Sequence, residues 1–401
     1  MKRVLFVLQG IGFGGSMTSL LNLLSFMHKD ELDVDVLFMD RYGELLEQAQ
    51  DVTNVLAEDK FLQAVSTPRP KLKELGRYDL ITLRAILAVV GKICHKATSN
   101  IAYAHAAKKY NDKYDCVVAY QESIATSFVA EIKCKKKIAW VHNDYDNVKK
   151  ICGGAENLRC LYSVFDKVVC VSKAGRSNFQ EKSGLPSEKI DYVYNTLRSD
   201  SIRSKAQVPI ELVLGDIKSK AHVLDLLENH AIKFVSSGRL AEQKRFDRVI
   251  RVAKRLKEEK IDFCWMIIGN GDQFGQIEKA IIEENISDVV ALTGGLSNPF
   301  PVVNACDVFV LTSQFEAHPM VANEALLLGK PVITTNYESA SEVVENGVNG
   351  LICEMSADGI FNSCKELASN QLLMDMLSKS AQKFEYRNED IVDKVLRIVG
   401  E

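Results

Sequence analysis

The sequence lacks a long apolar run and a closely spaced cysteine pair. No hydrophobic segment approaches the roughly 20 residues that a membrane-spanning helix requires. Residues 1–8 resemble the start of a signal peptide, but the apolar run stops at Gln9 and Gly10, so we expect a first strand instead. The ten cysteines include no C-x-x-C pair and several lie in apolar segments. They predict small buried residues in a reducing compartment, without a disulfide or zinc framework.

The sequence also lacks a large excess of charge of one sign, since the net charge is −3 over 401 residues. The hydrophobic and charged fractions, 47% and 26%, are typical of a soluble globular protein of two domains. Residues 1–199 carry 28 Lys and Arg against 23 Asp and Glu. This basic half could face an anionic membrane surface or an acidic substrate, although solvated surface lysines are the simpler explanation of so modest an excess. We expect no nucleic-acid partner.

Residues 307–329 predict a strand, a turn and a helix. Residues 307–310 are apolar, Pro319 is expected as an early helical residue, and Gly329 follows the end of the helix. The N–H groups that begin such a helix bind phosphate well. Glu316 in the turn could bind sugar hydroxyls, and Glu324 in the helix could bind a ribose. The alternative is a solvated amphipathic helix with two exposed glutamates.

Three further sets of residues lie where strands are expected to end. Gly10, Gly12 and Gly15 form G-x-G-x-x-G after the first strand, although Asp40 lies farther along than a dinucleotide fingerprint expects. Arg239 follows a strand and Lys244 lies five residues later, so both could hold one diphosphate. His142 ends another strand, where open α/β sheets bind ligands.

These motifs together resemble those of the retaining GT-B glycosyltransferases of family 4. Glu316 and Glu324, with Pro319 between them and Ala325 after, look like the E-x7-E signature, except that Ala317 replaces the usual glycine. Arg239 and Lys244 match the family pattern G-R-L-x-x-x-K. Residues 190–196 are similar to the V-I-Y-N-G segment that closes the N-terminal domain.

The resemblance implies two Rossmann-like domains facing a cleft. Residues 1–198 would form the acceptor-side domain, 199–385 the nucleotide-sugar domain and 386–401 a helix that crosses back to the first domain. We expect residues 199–220 to be a linker with an insertion. Residues 144–146 form a D-x-D sequence. Such a sequence holds a metal ion in GT-A enzymes, but in a chain of GT-B type we assign it no metal role.

The resemblance also implies roles for single residues. The catalytic set is Glu316, His142, Arg239 and Lys244. The donor and nucleotide would be bound by Gly15, Arg239, Lys244, Gly294, Asn298, Met320, Val321 and Glu324, and the acceptor side would contain Gly14, Gly15 and Ser16. We expect no cofactor and no metal requirement in a chain of GT-B type. No Asp or Glu is evidently placed as a nucleophile, and the family picture fits this, because the departing phosphate can itself accept the proton of the acceptor.

The implied reaction moves a hexosyl or N-acetylhexosaminyl group, with retention, from a nucleotide diphosphate sugar to a glycan or lipid-linked acceptor. We expect the donor to be UDP-linked. Bacterial surface polysaccharide synthesis is the expected setting, in the cytoplasm or peripherally at the inner face of the membrane through the N-terminal domain. Two alternatives remain open. One is an NAD-dependent oxidoreductase that uses Gly10, Gly12 and Gly15, and the other is a catalytically silent GT-B partner subunit.

Overall fold

A computed structural model describes residues 1–12, 14–27, 32–43 and 45–400. Its contacts divide the chain into two units, Met1–Thr196 with Arg387–Glu401, and Leu197–Tyr386. The domain boundaries expected from the sequence are 198/199 and 385/386. Among the described residues, no helix is both long and apolar enough to cross a membrane.

The first unit is built on a parallel sheet with the strand order β3-β2-β1-β4-β5-β6-β7. Residues 4–8 and 36–39 are fully buried, as strands covered on both faces must be. The strands are β1 Lys2–Gly10, β2 Leu32–Asp40, β3 Asn54–Val55, β4 Cys116–Ala119, β5 Lys136–Val141, β6 Lys167–Cys170 and β7 Ile190–Tyr192. The helices are α1 Gly15–Phe26, α2 Leu46–Val52, α3 Lys60–Ser66, α4 Arg69–Glu74, α5 Tyr78–Ile93, α6 Thr98–Ala107, α7 Ile124–Glu131, α8 Tyr145–Ile151, α9 Ala155–Ser163 and α10 Lys173–Lys182.

The second unit contains a parallel sheet with the order β10-β9-β8-β11-β12-β13. The strands are β8 Ile232–Ser237, β9 Phe263–Ile268, β10 Val290–Gly294, β11 Val308–Leu311, β12 Val332–Thr335 and β13 Gly350–Cys353. The helices are α11 Ser199–Ala206, α12 Ile210–Leu214, α13 Lys220–Asn229, α14 Phe246–Glu258, α15 Phe274–Glu283, α16 Phe300–Ala305, α17 Met320–Leu327, α18 Ala357–Ser369 and α19 Gln371–Ala381.

Both sheets have the strand order of a doubly wound Rossmann fold, which confirms the prediction of two Rossmann-like α/β domains. The order reverses between β1 and β4 in the first unit and between β8 and β11 in the second. In open parallel sheets, ligands bind outside the carboxyl ends of the strands at this switch point. A ligand-binding site is therefore expected in the loops that follow these four strands.

The last helix, α20 (Glu389–Gly400), belongs to the first unit. Lys394 of this helix lies 2.8 Å from the Asp191 carboxylate and 3.8 Å from the centre of the Tyr192 ring. An ion pair and a cation–π contact thus attach the C-terminal helix to β7.

Residues 199–220, expected to be a linker with an insertion, contain α11 and α12, which bury Ile202 and Leu214. One local expectation was wrong. Pro319 is not inside the first turn of α17. It has an extended backbone, with φ −72° and ψ 102°, and immediately precedes Met320, the first helical residue.

Candidate functional site

An ion pair between Lys244 and Glu316 lies at the switch point of the second unit. Lys244 follows β8, Glu316 follows β11, and Lys244 Nζ is 2.6 Å from Glu316 Oε1. The same carboxylate oxygen accepts a hydrogen bond from Ser313 Oγ at 2.5 Å. The Lys244 and Glu316 side chains are only 16% and 8% exposed, so water screens this pair less than a surface pair. Two predicted site residues from distant parts of the sequence are thus brought into direct contact.

Three further hydrogen bonds join the two loops that carry this pair. The Gln314 N–H donates to the Gln243 carbonyl at 2.9 Å, and Gln243 Nε2 donates to the Phe315 carbonyl at 2.8 Å. Thr312 Oγ1 donates to the Lys244 carbonyl at 2.7 Å. These bonds fix the position of the ion pair relative to the ends of β8 and β11.

Glycines allow the loops after β8 and β9 to lie very close together. Gly269 has φ +151°, and a Cβ atom there would lie 1.9 Å from the Gly238 carbonyl oxygen. Gly271 has φ +159°, and its Cβ would lie 2.3 Å from the Leu240 carbonyl oxygen. A side chain at either position would collide with backbone, so these glycines are needed for the close approach. They keep the loop carrying Arg239 against its neighbour.

Arg239 and the beginning of α17 supply further hydrogen-bond donors in the second unit. Arg239 follows Gly238, is exposed, and forms no ion pair within the described part of the chain. The first N–H groups of a helix have no acceptor within the helix, which applies to Met320 and Val321 at the start of α17. The Met320 side chain is buried, so its backbone is the part that can reach a ligand.

Glu324 lies one turn into α17 and is part-buried. Burial raises the pKa of its carboxyl group to about 7, and the charge of Lys205 opposes this rise. This carboxylate therefore changes its charge near neutral pH. A deprotonated Glu324 can accept hydrogen bonds from hydroxyl groups, such as those of a ribose.

The two predicted nucleotide-binding residues Gly294 and Asn298 lie at the end of β10 and in the loop that follows it. Gly294 ends β10 with φ +76°, and its carbonyl accepts the Gly269 N–H at 2.9 Å. Asn298 donates from Nδ2 to the Lys205 carbonyl at 2.9 Å, and its Oδ1 accepts the Phe300 N–H at 3.3 Å. The Asn298 side chain thus has contacts within the fold, and its role in binding a nucleotide stays a prediction.

In the first unit, His142 is positioned by a buried carboxylate that the sequence analysis did not assign a role. Glu122 follows β4, is 5% exposed, and accepts the His142 backbone N–H at 2.7 Å. Its other oxygen accepts a hydrogen bond from Asn143 Nδ2. Burial raises the pKa of Glu122. The signal in the sequence was an acidic residue three positions after the end of a central strand.

The glycine-rich segment of the first unit leads into α1. Gly14 and Gly15 are exposed and Ser16 is part-buried, at the beginning of this helix. Further along α1, Ser19 Oγ lies 2.9 Å from Tyr120 Oη and donates to Asn195 Oδ1 at 2.7 Å. These bonds connect α1 to the residues that follow β4 and β7.

Four acidic residues without a predicted site role, Asp35, Asp40, Asp144 and Asp146, have contacts of their own. Asp35 is buried and accepts the Tyr114 hydroxyl at 2.6 Å, and Asp40 accepts the backbone N–H of the residue two positions later. Asp144 caps α8, and Asp146 pairs with a lysine of that helix at 2.6 Å. Both residues of the D-x-D sequence thus contribute to helix α8. Residue 13 of the glycine-rich loop lies outside the described residues.

Comparison with known proteins points to one family. The family model of the glycosyl transferases group 1 matches residues 225–384. An uncharacterized glycosyltransferase of Methanocaldococcus jannaschii, MJ1178, is 26% identical over 221 residues, which are 55% of this chain and 54% of that protein. UDP-Gal:alpha-D-GlcNAc-diphosphoundecaprenol alpha-1,3-galactosyltransferase of Escherichia coli is 27% identical over 188 residues, covering 46% and 48%. The chain spans about half the length of these relatives.

The fold is also similar to that of solved glycosyltransferases. Anabaena HepE in complex with UDP-glucose matches over 100% of both chains, with a TM-score of 0.74 and 17% sequence identity. This likeness confirms the predicted GT-B class, in the sense of two parallel-sheet Rossmann-like domains. The similarity to the glycosyl transferases group 1 that the family model detects thus lies within the second unit of the chain.

Proposed function

We propose that this protein is a retaining glycosyltransferase of family 4. It moves a hexosyl or N-acetylhexosaminyl group from a UDP-sugar to a glycan or lipid-linked acceptor in bacterial surface polysaccharide synthesis. The observation that carries the proposal is the Lys244–Glu316 pair beside Arg239, at the switch point of the second unit. Cationic groups and a carboxylate in one place suit a ligand that contains both a diphosphate and a sugar.

In the proposed reaction, the bond between the anomeric carbon and the donor phosphate oxygen breaks. Arg239, Lys244 and the N–H groups of Met320 and Val321 stabilise the negative charge that develops on the leaving diphosphate. Two side-chain cations and a helix N-terminus can do this without a metal ion. The acceptor oxygen then bonds to the anomeric carbon on the same face, and its proton passes to the leaving phosphate. The configuration is therefore retained.

The two glutamates would bind the donor on either side of the diphosphate. Glu316 accepts hydrogen bonds from sugar hydroxyls. These hydrogen bonds replace part of its contact with Lys244. Glu324 binds the ribose hydroxyls. The roles of His142 at the donor sugar, and of Gly14, Gly15 and Ser16 on the acceptor side, stay predictions.

The substrate classes are proposed by analogy. The name of the Escherichia coli relative states a UDP-sugar donor, a diphosphoundecaprenol acceptor and an alpha linkage. HepE was solved with UDP-glucose. We propose the same classes of donor and acceptor here, with action in the cytoplasm or peripherally at the inner face of the membrane.

Donor binding tests the assignment of the cationic residues. Among UDP-, GDP- and ADP-glucose and the corresponding nucleotide diphosphates, we expect the UDP compounds to raise the melting temperature of the protein most. Arg239→Ala and Lys244→Ala should each remove this shift and nearly all turnover. Arg251→Ala is the matched control, because Arg251 is an exposed arginine of the same unit, on α14. Turnover like that of the unmodified protein in Arg239→Ala or Lys244→Ala would refute the diphosphate site.

Two more measurements separate the remaining alternatives. Proton NMR of the first product formed should show the anomeric configuration of the donor, and inversion would refute retention. An NAD-dependent oxidoreductase would instead bind NAD in a nicotinamide titration. A silent partner subunit would bind the nucleotide but neither hydrolyse nor transfer any sugar.

A further inference from the structure

Tyr120 directly follows β4 at the switch point of the first unit, and its side chain is only 2% exposed. The centre of its ring lies 5.0 Å from that of His142 and 5.0 Å from that of Trp140. Phe6 of β1 packs edge-on against the same ring at 5.7 Å. The His142 ring therefore lies against a side chain that packing on β1 and β5 holds in place.

The hydroxyl group of Tyr120 is held as well. Ser19 Oγ lies 2.9 Å from Tyr120 Oη and donates its hydrogen to Asn195 Oδ1 at 2.7 Å. A serine hydroxyl has one hydrogen, so Tyr120 must be the donor in the bond between the two hydroxyls. The chain of hydrogen bonds thus has one direction, in which Tyr120 donates to Ser19 and Ser19 donates to Asn195.

This chain is buried in a place where an apolar side chain would pack at a lower free-energy cost. Ser19, Tyr120 and Asn195 are all buried. Burial removes the hydration of a hydroxyl group, and a hydrogen bond only offsets that loss, so a phenylalanine at position 120 would fill the same space without it. What the hydroxyl adds is a directional attachment to α1, and bonded polar groups in a core make a position rigid and specific.

We propose that Tyr120 is a positioning residue for the transfer reaction. Its ring holds the His142 ring, and its hydroxyl holds both rings at a fixed place relative to the beginning of α1. The inference rests on the proposed function, in which His142 acts at the donor sugar and Gly14, Gly15 and Ser16 lie on the acceptor side. Because the Tyr120 side chain is buried, it acts through His142 and not on a substrate directly.

Tyr120 and Glu122 act on different parts of His142. Glu122 accepts the backbone N–H of His142 at 2.7 Å, which places the main chain. A bond to the main chain does not set the rotation of the imidazole ring, whereas contact with the Tyr120 ring restricts it. A reacting group misplaced by about 1 Å can slow a reaction by about 100-fold, so a loosened ring is expected to lower kcat.

Tyr120→Phe tests the hydroxyl group alone, because phenylalanine keeps the ring. We expect kcat to fall about tenfold while the donor KM changes by less than about twofold, since residues of the second unit hold the diphosphate. The matched control is Tyr114→Phe. Tyr114 is also a buried tyrosine, and its hydroxyl donates to Asp35 at 2.6 Å, but it precedes the amino end of β4. This control should lower the melting temperature and leave kcat unchanged.

Ser19→Ala removes the acceptor of the Tyr120 hydroxyl without changing the ring. It should also lower kcat about tenfold. The double variant Ser19→Ala with Tyr120→Phe should lose no more than either single variant, because all three break the same chain of hydrogen bonds. The proposal is overturned if the two losses multiply, if kcat of Tyr120→Phe equals that of the unmodified protein, or if Tyr114→Phe lowers kcat as much.

Nuclear magnetic resonance of the free protein follows the His142 ring without any substrate. The chain has seven histidines, and the signals missing in His142→Gln identify the ring of His142. Tyr120→Phe and Ser19→Ala should each shift or broaden these signals, and Tyr114→Phe should leave them in place. Unchanged signals in Tyr120→Phe overturn the positioning role even where kcat has fallen, because the loss would then come from the fold.

The kinetics also separate this inference from the function on which it rests. If the unmodified protein transfers sugar from no donor, the proposed function fails and the positioning role fails with it. If the unmodified protein transfers sugar and Tyr120→Phe does so at the same rate, only the positioning role fails.

Discussion

Replacing Lys244 by methionine separates what the Lys244–Glu316 pair does for the fold from what Lys244 does for the chemistry. Methionine keeps an unbranched apolar stem but removes the charge. The Glu316 carboxylate, 8% exposed, then keeps only its hydrogen bond from Ser313 among the side-chain contacts described above. Removing one partner of a fully buried ion pair costs about 3–5 kcal/mol. Because Lys244 is 16% exposed, we expect a smaller loss of unfolding free energy, about 2–3 kcal/mol.

A double-mutant cycle combines Lys244→Met with a second substitution, Glu316→Gln. In the double variant Lys244→Met with Glu316→Gln, no uncompensated charge is buried, so most of the lost stability should return. Activity should not return, because the leaving diphosphate still lacks one cation. Removing one such electrostatic partner of a transition state costs about 10²–10³-fold in kcat.

Stability and activity need separate readouts. The chain has two tryptophans, Trp140 on β5 and Trp265 on β9. In a Trp140→Phe background, the fluorescence of Trp265 reports urea unfolding of the second unit alone. Transfer or hydrolysis of the donor identified in the nucleotide panel reports activity. The reasoning is refuted if the double variant regains activity together with stability, because Lys244 would then act only through the fold.

Three other predictions use single residues. Gly269→Ala should lower the unfolding free energy of the second unit by more than about 3 kcal/mol, from backbone strain and collision, whereas Gly275→Ala in α15 should leave it unchanged or raise it. The donor KM should rise as the pH falls from 8 to 6, because Glu324, with a pKa of about 7, loses its charge over this range; Glu324→Gln should remove this dependence. Glu122→Ala should displace His142 and therefore lower kcat by a larger factor than it raises the donor KM. Glu122→Gln should keep part of the kcat that Glu122→Ala loses. A kcat of Glu122→Ala equal to that of the unmodified protein would refute a positioning role for Glu122.

The sequence predicted the sheet architecture well because the buried strands are continuous apolar runs. Each such run ends in a glycine or a polar residue, so the loops at the carboxyl ends of the strands were also recognisable. Parallel pairing then places residues that are distant in sequence at the same edge of a sheet. Lys244 and Glu316 were selected as site residues from their places after predicted strands and from the motifs of the resembling family, and parallel pairing explains why they meet.

Other features could not be predicted, because tertiary packing determines them. The polar residues of α11 and α12 suggested a linker, yet a few apolar side chains, including Ile202 and Leu214, are enough to hold both helices in the second unit. The sequence suggested that Asn298 binds a nucleotide base, but its amide also bonds the Lys205 carbonyl. In both cases the local pattern agrees with several structures, and long-range contacts select one of them.

Arg248 shows how far such long-range contacts support the candidate site. It lies on α14, where an arginine in a helical pattern suggests an exposed position, but it is only 6% exposed. Its guanidinium donates to the Thr312 carbonyl at 2.8 Å and to the Met355 carbonyl at 3.2 Å. Burial lowers its pKa, and backbone carbonyls take the place of a carboxylate partner. Thr312 begins the loop that carries Glu316. The buried Arg248 therefore connects this loop, which is part of the proposed donor site, to α14.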